Sequence, residues 1–163
     1  MVLRNGLAGL VLTLAALLLG APAAQAAGCS DDHVQIRGTF GQASFAVEIA
    51  DTDGERALGL MNRPSMPRFA GMLFVWPTPQ HAVFWMENTL IPLDMLFIDA
   101  QGVVRTIHEN AVPMDRTPID GGEGIQYVLE INGGMAHRLG LVPGAELRHP
   151  AIPQGSAVWP CSE

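Results

Sequence analysis

The chain has 163 residues, in which 16 acidic side chains face nine arginines and no lysine, so its formal net charge is −7 at pH 7. Without lysine there is no Schiff-base lysine, no Walker A lysine and no Ser-Lys dyad, which argues against pyridoxal-phosphate chemistry and nucleotide hydrolysis. Because neutralised phosphates supply most of the affinity for nucleic acid, so acidic a chain also predicts no nucleic-acid partner.

The first 26 residues have the order of a secretory signal peptide. Arg4 precedes an apolar run over 7–19, and Ala24-Gln25-Ala26 forms an A-x-A cleavage site. The apolar run is too short to cross a membrane comfortably. We therefore expect an exported mature chain, residues 27–163, with no stable membrane span. The periplasm is the expected location, and full secretion is the alternative.

Two cysteines, Cys29 and Cys161, lie just inside the ends of the mature chain. In an exported protein two cysteines most simply form one disulfide, so the sequence predicts a bond that ties the termini together. The alternative is lipidation of Cys29, because the small residues 26–28 resemble a lipobox. That alternative lacks the large aliphatic residue expected three positions before the cysteine, and it leaves Cys161 unpaired.

The first elements follow from residue patterns along the chain. Alternating apolar and polar residues predict strands over 33–39 and 44–50, joined as a hairpin at Gly41-Gln42. Thr52-Asp53-Gly54-Glu55 fits a capping box that begins a short helix, and this helix ends before Pro64.

The middle of the chain is its most apolar part. Strand-length runs over 71–76, 83–88 and 95–99 are separated by turns at Pro77, Pro79 and Pro92. These runs are apolar on both faces, which is typical of strands that are covered on both faces. We expect them at the centre of a barrel or sandwich, with the outer face under a helix or long loop.

The remaining elements complete a β-rich chain. We predict a strand over 103–109, a loop of functional length over 111–124, a strand over 125–131, a short helix over 133–140, a strand over 145–149 and a Pro-rich strap over 151–163. The expected fold class is mostly β: a compact β-sandwich, jelly-roll-like or barrel-like single domain with two short helices.

Familiar catalytic and metal-binding motifs are absent from the sequence. It has no G-x-S-x-G, H-E-x-x-H or C-x-x-C motif, and its five histidines do not fall at metal-ligand spacing. We therefore predict no metal and no cofactor, and the sequence assigns no catalytic residue. Soft thioethers bind Cu(I), and four methionines lie close to His81 and Trp85 in sequence, namely Met61, Met66, Met72 and Met86. Their irregular spacing equally fits the filling of an uneven core.

Polar or aromatic side chains within this apolar sequence are the candidate ligand-binding residues. They are Arg56, Arg63, Trp85, Asn88, Asp94 and Glu130. On a structural interpretation, Asn88 and Thr89 bond the backbone of the turn at Pro92, and Asp94 pairs with Arg56 or Arg63. On a functional interpretation, an Arg, an Asp and an Asn converge on a polar ligand in one pocket.

Three motifs make the sequence resemble the domain of unknown function 192 family over about residues 34–149. They are Gly59-Leu60-Met61-x-Arg63, Gly71-Met72-Leu73-Phe74, and the long run from Phe84-Trp85-Met86 through Asn88-Thr89 and Pro92-Leu93-Asp94 to Phe97-Ile98-Asp99. Leu129-Glu130 before Gly133 resembles a later family motif. The resemblance implies a small, often exported, mostly-β protein and carries no activity with it. Glu87 stands where the family frequently has Lys, and Ala145 where it often has Asp.

The leading hypothesis is a periplasmic binding or accessory module, not an enzyme, with its site around Arg63, Trp85, Asn88 and Asp94. Its partner would be an unknown small polar ligand or a periplasmic protein. One rival is a hydrolase or lyase in which Asp94 or Glu130 is the general acid or base and Arg63 stabilises an anion. Others are a protein-interaction module that docks a partner at residues 76–79 and an edge strand, and a copper-binding protein.

Overall fold

The computed structural model describes residues 28–162, so the signal peptide expected at 1–26 lies outside the described residues. Seven strands and two short helices follow one another in the order β1 His33–Gly38, β2 Gly41–Ala50, α1 Asp53–Leu58, β3 Ala70–Phe84, β4 Leu93–Asp99, β5 Val104–Ala111, β6 Ile119–Asn132, α2 Met135–Leu139 and β7 Glu146–Arg148. The expected mostly-β fold class with two short helices is confirmed.

All seven strands form one sheet in the order β5-β4-β6-β3-β2-β1-β7. Neighbouring strands are antiparallel except β2 and β3, which are parallel and are connected through α1. The sheet curls until its two edges touch where β5 begins beside β7, at an isolated bridge between Val103 and Glu146. The Val104 amide donates to the Ala145 carbonyl at 2.8 Å, and the Leu147 amide donates to the Gly102 carbonyl at 2.8 Å. The result is a half-barrel with an inner and an outer face.

Local sequence signals explain the first elements. The strands β1 and β2 form the predicted hairpin, with Gly38 opposite Gly41. The predicted capping box is present: the Glu55 amide donates to the Thr52 hydroxyl at 3.3 Å, and the Thr52 amide donates to the Glu55 carboxylate at 3.1 Å. The helix α1 ends at Gly59, whose φ of 49° suits a residue without a side chain.

The curled sheet is apolar on both faces, as the sequence of the central strands predicts. Along β6, Tyr127, Leu129 and Ile131 point into the inner core. Val128 points the other way into an outer core, which segments following α1 and β3 cover with Leu60, Met86 and Ile91. A polar side chain on the outer face of β6 is therefore buried beneath these two segments.

The prediction of two strands at 71–76 and 83–88 with a proline turn between them is wrong. One strand, β3, runs through both prolines and ends at Phe84. Its pairing with β6 shifts register between Val75 and Gln80. Proline has no amide hydrogen to donate to the ladder, so it is tolerated where a bulge interrupts the pairing. The Gln126 side chain spans the gap and donates to the Trp76 carbonyl at 3.1 Å.

The predicted long loop over 111–124 is also wrong, because Ala111 ends β5 and Ile119 already begins β6. Only residues 112–118 connect the two strands. The glycines that suggested a loop serve close packing: a Cβ atom at Gly121 would lie 2.0 Å from the Phe97 ring. Because this close approach requires glycine, the alternation of apolar and polar side chains that predicts a strand is interrupted here.

The C-terminal strap is fixed to the domain near its end. Cys161 is disulfide-bonded to Cys29, as predicted, so the Cys29 sulfur is not available for the alternative of lipidation. Trp159 is buried between two arginines, with the guanidinium carbons of Arg37 and Arg148 4.5 Å and 4.3 Å from its ring centroid. Within residues 28–162, no helix is long and apolar enough to cross a membrane.

Candidate functional site

A pocket with a volume of about 330 Å³ opens between α1, the part of β3 from Phe74 to Phe84, and the segment 85–89. Its main lining residues are Arg56, Leu60, Phe74, Trp76, Phe84, Trp85, Thr89 and Glu130. The segment 85–89 is supported from behind by the loop 112–118. The Met86 amide donates to the Asp115 carbonyl at 2.8 Å, and the Met114 amide donates to the Thr89 carbonyl at 3.1 Å.

Three aromatic rings from β3 form one wall of the pocket. The Phe74 and Phe84 centroids are 5.2 Å apart with an edge-to-face geometry, and the Trp76 and Phe84 centroids are 5.9 Å apart. Phe74 and Trp76 are stacked with centroids 6.2 Å apart. Trp85 is 53% exposed and stands at the rim beside exposed Val83 and Leu58. The wall is therefore apolar and continues outward into an apolar rim.

Glu130 is the polar residue deepest in this pocket, with only 4% of its surface exposed. It lies on the outer face of β6, between Met72 of β3 and Met95 of β4, neither of which offers a strong hydrogen-bond partner. Within residues 28–162 its carboxyl group has no hydrogen-bond or ion-pair partner. Burial raises the pKa of Glu130 from 4.5 to about 8, so the carboxyl group is mostly protonated at neutral pH.

The residual exposure of Glu130 lies at its carboxyl oxygens. Every fully buried side-chain oxygen or nitrogen among the described residues has a hydrogen-bond partner. The Glu130 oxygens have none, so they are not fully enclosed and open onto the pocket. The result is a neutral acid group that faces the cavity with both its donor and its acceptor unused.

Arg56 forms the wall of the pocket on the α1 side. Its guanidinium donates to the Val75 carbonyl at 2.8 Å and to the Asp51 carbonyl, and it forms an ion pair with Asp53. It also lies over the Trp76 ring, with its central carbon 5.6 Å from the centroid. These contacts fix the side chain against β3 and compensate its charge.

Two other candidate residues lie outside this pocket. Arg63 forms an ion pair with Glu48 of β2, with 2.7 Å between Nη2 and Oε2, and this pairing lowers the pKa of the Glu48 carboxyl. Asn88 adopts a φ of 54°, which asparagine tolerates better than most residues. Its carbonyl accepts a hydrogen bond from the Asn62 amide at 2.8 Å, so Asn88 shapes the segment behind the pocket.

The predicted pairing of Asp94 with Arg56 or Arg63 is wrong. Asp94 is fully buried and accepts three backbone hydrogen bonds, from Asn110 at 2.8 Å, Gly134 at 2.8 Å and Ala136 at 2.7 Å. Its cross-strand partner is Ile131, so it faces the inner core, opposite to Glu130. Asp94 thus fixes the start of α2 to the sheet.

The structure divides the six candidates between two environments. Arg56, Trp85 and Glu130 share the pocket, whereas Arg63, Asn88 and Asp94 do not line it. The aromatic wall and Thr89 were not among the sequence-based candidates. The alternation of Phe74 and Trp76 along one strand was the available signal, but the expected turn at Pro77 obscured its continuation to Phe84.

Two of the methionines considered for copper lie in the apolar core, whereas the nearby histidine lies outside it. Met72 and Met86 are packed in the outer core, and His81 lies on the surface with its Nε2 2.8 Å from an Asp120 oxygen. In the part of the chain that the structure describes, no group of three or more His, Cys, Asp or Glu residues is placed to hold a metal ion.

The profile of DUF192, described as an uncharacterized ACR, matches residues 34–149. The chain belongs to the DUF192 family. The match covers both pocket walls and confirms the resemblance seen in the sequence motifs. No curated protein matches the chain.

Two solved structures are similar to this DUF192 protein. One is a proposed transcription regulator from Sinorhizobium meliloti 1021, which is 40% identical, with a TM-score of 0.73, over 77% of this chain and 98% of that one. The other is a protein of unknown function from Novosphingobium aromaticivorans DSM 12444, which is 40% identical, with a TM-score of 0.71, over 79% of this chain and 99% of that one. Both share the fold of this chain, and neither description names a ligand.

Proposed function

We propose that this DUF192 protein is an exported binding module that holds one small, mainly apolar molecule in the pocket between α1, β3 and the segment 85–89. The observation that carries the proposal is a buried carboxyl group without a partner at the end of an aromatic-lined cavity. Ligand pockets are typically apolar cavities with a few polar groups that orient the ligand, and this pocket has that composition.

The size of the pocket limits the size of the ligand. Its volume of about 330 Å³ is at the lower end of the range for small-molecule sites, roughly 300 to 1,000 Å³. An apolar cavity of about 150 Å³ is large enough to bind one benzene molecule. The pocket therefore suits a molecule of about one to two rings, or an aliphatic molecule of similar volume.

The arrangement favours binding over catalysis. The enzyme hypothesis used Asp94 and Glu130 as candidate acid–base groups, with Arg63 as the anion stabiliser. Asp94 faces the inner core and Arg63 pairs with Glu48 outside the pocket, so neither acts beside Glu130. The Thr89 hydroxyl in the pocket is engaged with the backbone, since it donates to the Glu87 carbonyl at 3.3 Å. A protonated acid alone orients a ligand more readily than it transforms one.

Two features support export. The disulfide joins the two ends of the described domain, as is common in oxidising compartments, and residues 1–26 have the order of a signal peptide.

The Sinorhizobium relative is described as a proposed transcription regulator. This chain has no lysine and a net charge of −7, so we do not extend that role to it.

The proposal is tested with para-fluorotoluene, an apolar probe that fluorine NMR detects directly. Titration should broaden and shift the probe signal in a saturable way. Ala57 is exposed on the α1 side of the pocket, so Ala57→Trp should fill the entrance and weaken binding at least about tenfold. The matched control is Ala46→Trp, at an exposed alanine of β2 that does not line this pocket, and it should bind like wild type. Equal binding by both variants would contradict the proposal.

A further inference from the structure

We infer that the molecule held in the pocket carries an uncharged hydrogen-bond acceptor, with a ketone or ester carbonyl as the simplest case, and that the Glu130 carboxyl group donates the hydrogen bond to it. The inference rests on the proposed function and names the chemical class of its ligand. It begins from Glu130, a buried polar group in the pocket whose hydrogen-bonding capacity the protein leaves unused.

The position of Glu130 requires its partner to come from the pocket. On one side lies Met72 of β3, and on the other lies Met95 of β4. Both side chains are buried and belong to the outer core. Beside Glu130 the backbones of the three strands pair with one another in the sheet. A buried polar group without a partner is unfavourable, so a ligand that supplies one gains affinity at this position.

The charges around Glu130 favour its neutral form. Arg56 is the other charged side chain that lines the pocket, and it is already paired with Asp53 and with two carbonyls of the chain. Glu87, in the segment 85–89, forms an ion pair with Arg116 at 2.8 Å and does not line the pocket. Burial is the sole cause of the raised pKa of Glu130, about 8, so no described cation compensates an ionised carboxylate there.

A neutral acid discriminates between ligand classes. A ketone or ester oxygen accepts its proton in a hydrogen bond without placing any net charge in the cavity. A ligand ammonium would require Glu130 to ionise in an apolar environment, where the ion pair has to offset the desolvation of two charges. A ligand carboxylate would lose its hydration beside aromatic rings and gain one neutral donor. Of the three classes, only the uncharged acceptor satisfies the Glu130 donor without placing a charge in the apolar pocket.

Four probes of nearly equal shape separate these classes by fluorine NMR titration. They are para-fluoroacetophenone, para-fluorocumene, para-fluoro-α-methylbenzylammonium and para-fluorobenzoate, which differ in whether the ring carries a carbonyl, an isopropyl group, a cation or an anion. At about pH 6, wild type should bind para-fluoroacetophenone about tenfold more tightly than para-fluorocumene, the value of one net hydrogen bond. At about pH 9.5, above the Glu130 pKa of about 8, that preference should be lost.

Two variants assign the preference to Glu130. Glu130→Gln keeps a hydrogen-bond donor that does not titrate, so it should retain the preference for the ketone at both pH values. Glu130→Leu replaces the carboxyl group by an apolar side chain of similar volume, so this variant should bind para-fluorocumene normally and lose the preference. Because an apolar side chain is well tolerated at a buried site, this variant should remain folded. A cooperative thermal unfolding transition checks that it does.

The outcomes separate the inference from the proposed function. If para-fluorocumene binds in the pocket and the ketone binds no more tightly, the inference is overturned and the proposed function stands. If the ammonium probe binds most tightly and its affinity rises with pH, the ligand is an organic cation and the inference is overturned. If none of the four probes binds, the proposed function and the inference fail together.

Discussion

Replacing Glu130 by glutamine should change how the stability of the protein depends on pH. The unfolded chain ionises Glu130 from about pH 4.5 upward, whereas burial delays ionisation in the folded protein to about pH 8. Between these values the folded state binds the extra proton, so the free energy of unfolding falls as pH rises. The contribution of Glu130 is most favourable below pH 4.5 and is constant again above about pH 8.

The expected size follows from the same pKa difference. One pKa unit corresponds to about 1.4 kcal/mol, so the rise from 4.5 to about 8 corresponds to a loss of about 5 kcal/mol above pH 8. About 2 kcal/mol of this loss is already present at pH 6, which leaves about 3 kcal/mol between pH 6 and pH 9.

Urea unfolding at pH 6 and pH 9 measures the effect in wild type and Glu130→Gln. The stability of the variant relative to wild type should increase by about 3 kcal/mol between the two pH values. Taking the difference between proteins cancels the titration of His81 and His149, whose pKa values are shifted in opposite directions. Glu109→Gln, at an exposed glutamate of β5, is the control and should keep the wild-type pH dependence. If Glu130→Gln also keeps it, Glu130 is not a buried neutral acid.

Two further predictions test how the scaffold positions the pocket. Asp94→Ala leaves three backbone N–H groups at the end of β5 and the start of α2 without their acceptor, so it should lower the free energy of unfolding by about 3 kcal/mol or more, measured by urea unfolding. Gly121→Ala places a methyl group 2.0 Å from the Phe97 ring and should lower the free energy of unfolding by about 1 to 3 kcal/mol in the same assay. Gly155→Ala, whose added methyl group would have no atom within 4 Å, should change it little. An Asp94→Ala variant as stable as wild type, or equal effects at the two glycines, would contradict these assignments.

The parts of the fold that the sequence predicts are those determined by neighbouring residues. The hairpin between β1 and β2 depends on local alternation and a tight turn, and the capping box of α1 depends on two side chains three residues apart. The strand β3 was divided wrongly because its two prolines are tolerated only through a bulge against β6, which is distant in sequence. The first part of β6 was missed for a similar reason, since Gly121 reports the position of a ring on another strand.

The candidate site shows the same limit. Asp94 and Glu130 look alike in sequence, since each is a carboxylate in a strand of apolar residues. Their functions differ because their cross-strand partners face opposite sides of the sheet: Asp94 is opposite Ile131 and Glu130 is opposite Met95. Residue spacing identifies both as buried, but only the sheet register shows that backbone amides surround one carboxylate while the other opens onto a cavity.

The claim that the pocket binds a carbonyl compound at Glu130 is tested by a crystal structure of the protein soaked with para-bromoacetophenone. The bromine atom is located by its anomalous scattering. A bromine peak is expected within the pocket between α1, β3 and the segment 85–89. The ketone oxygen is expected within hydrogen-bond distance of the Glu130 carboxyl group. Bromine density at other sites with an empty pocket, or a ketone directed away from Glu130, would contradict this claim.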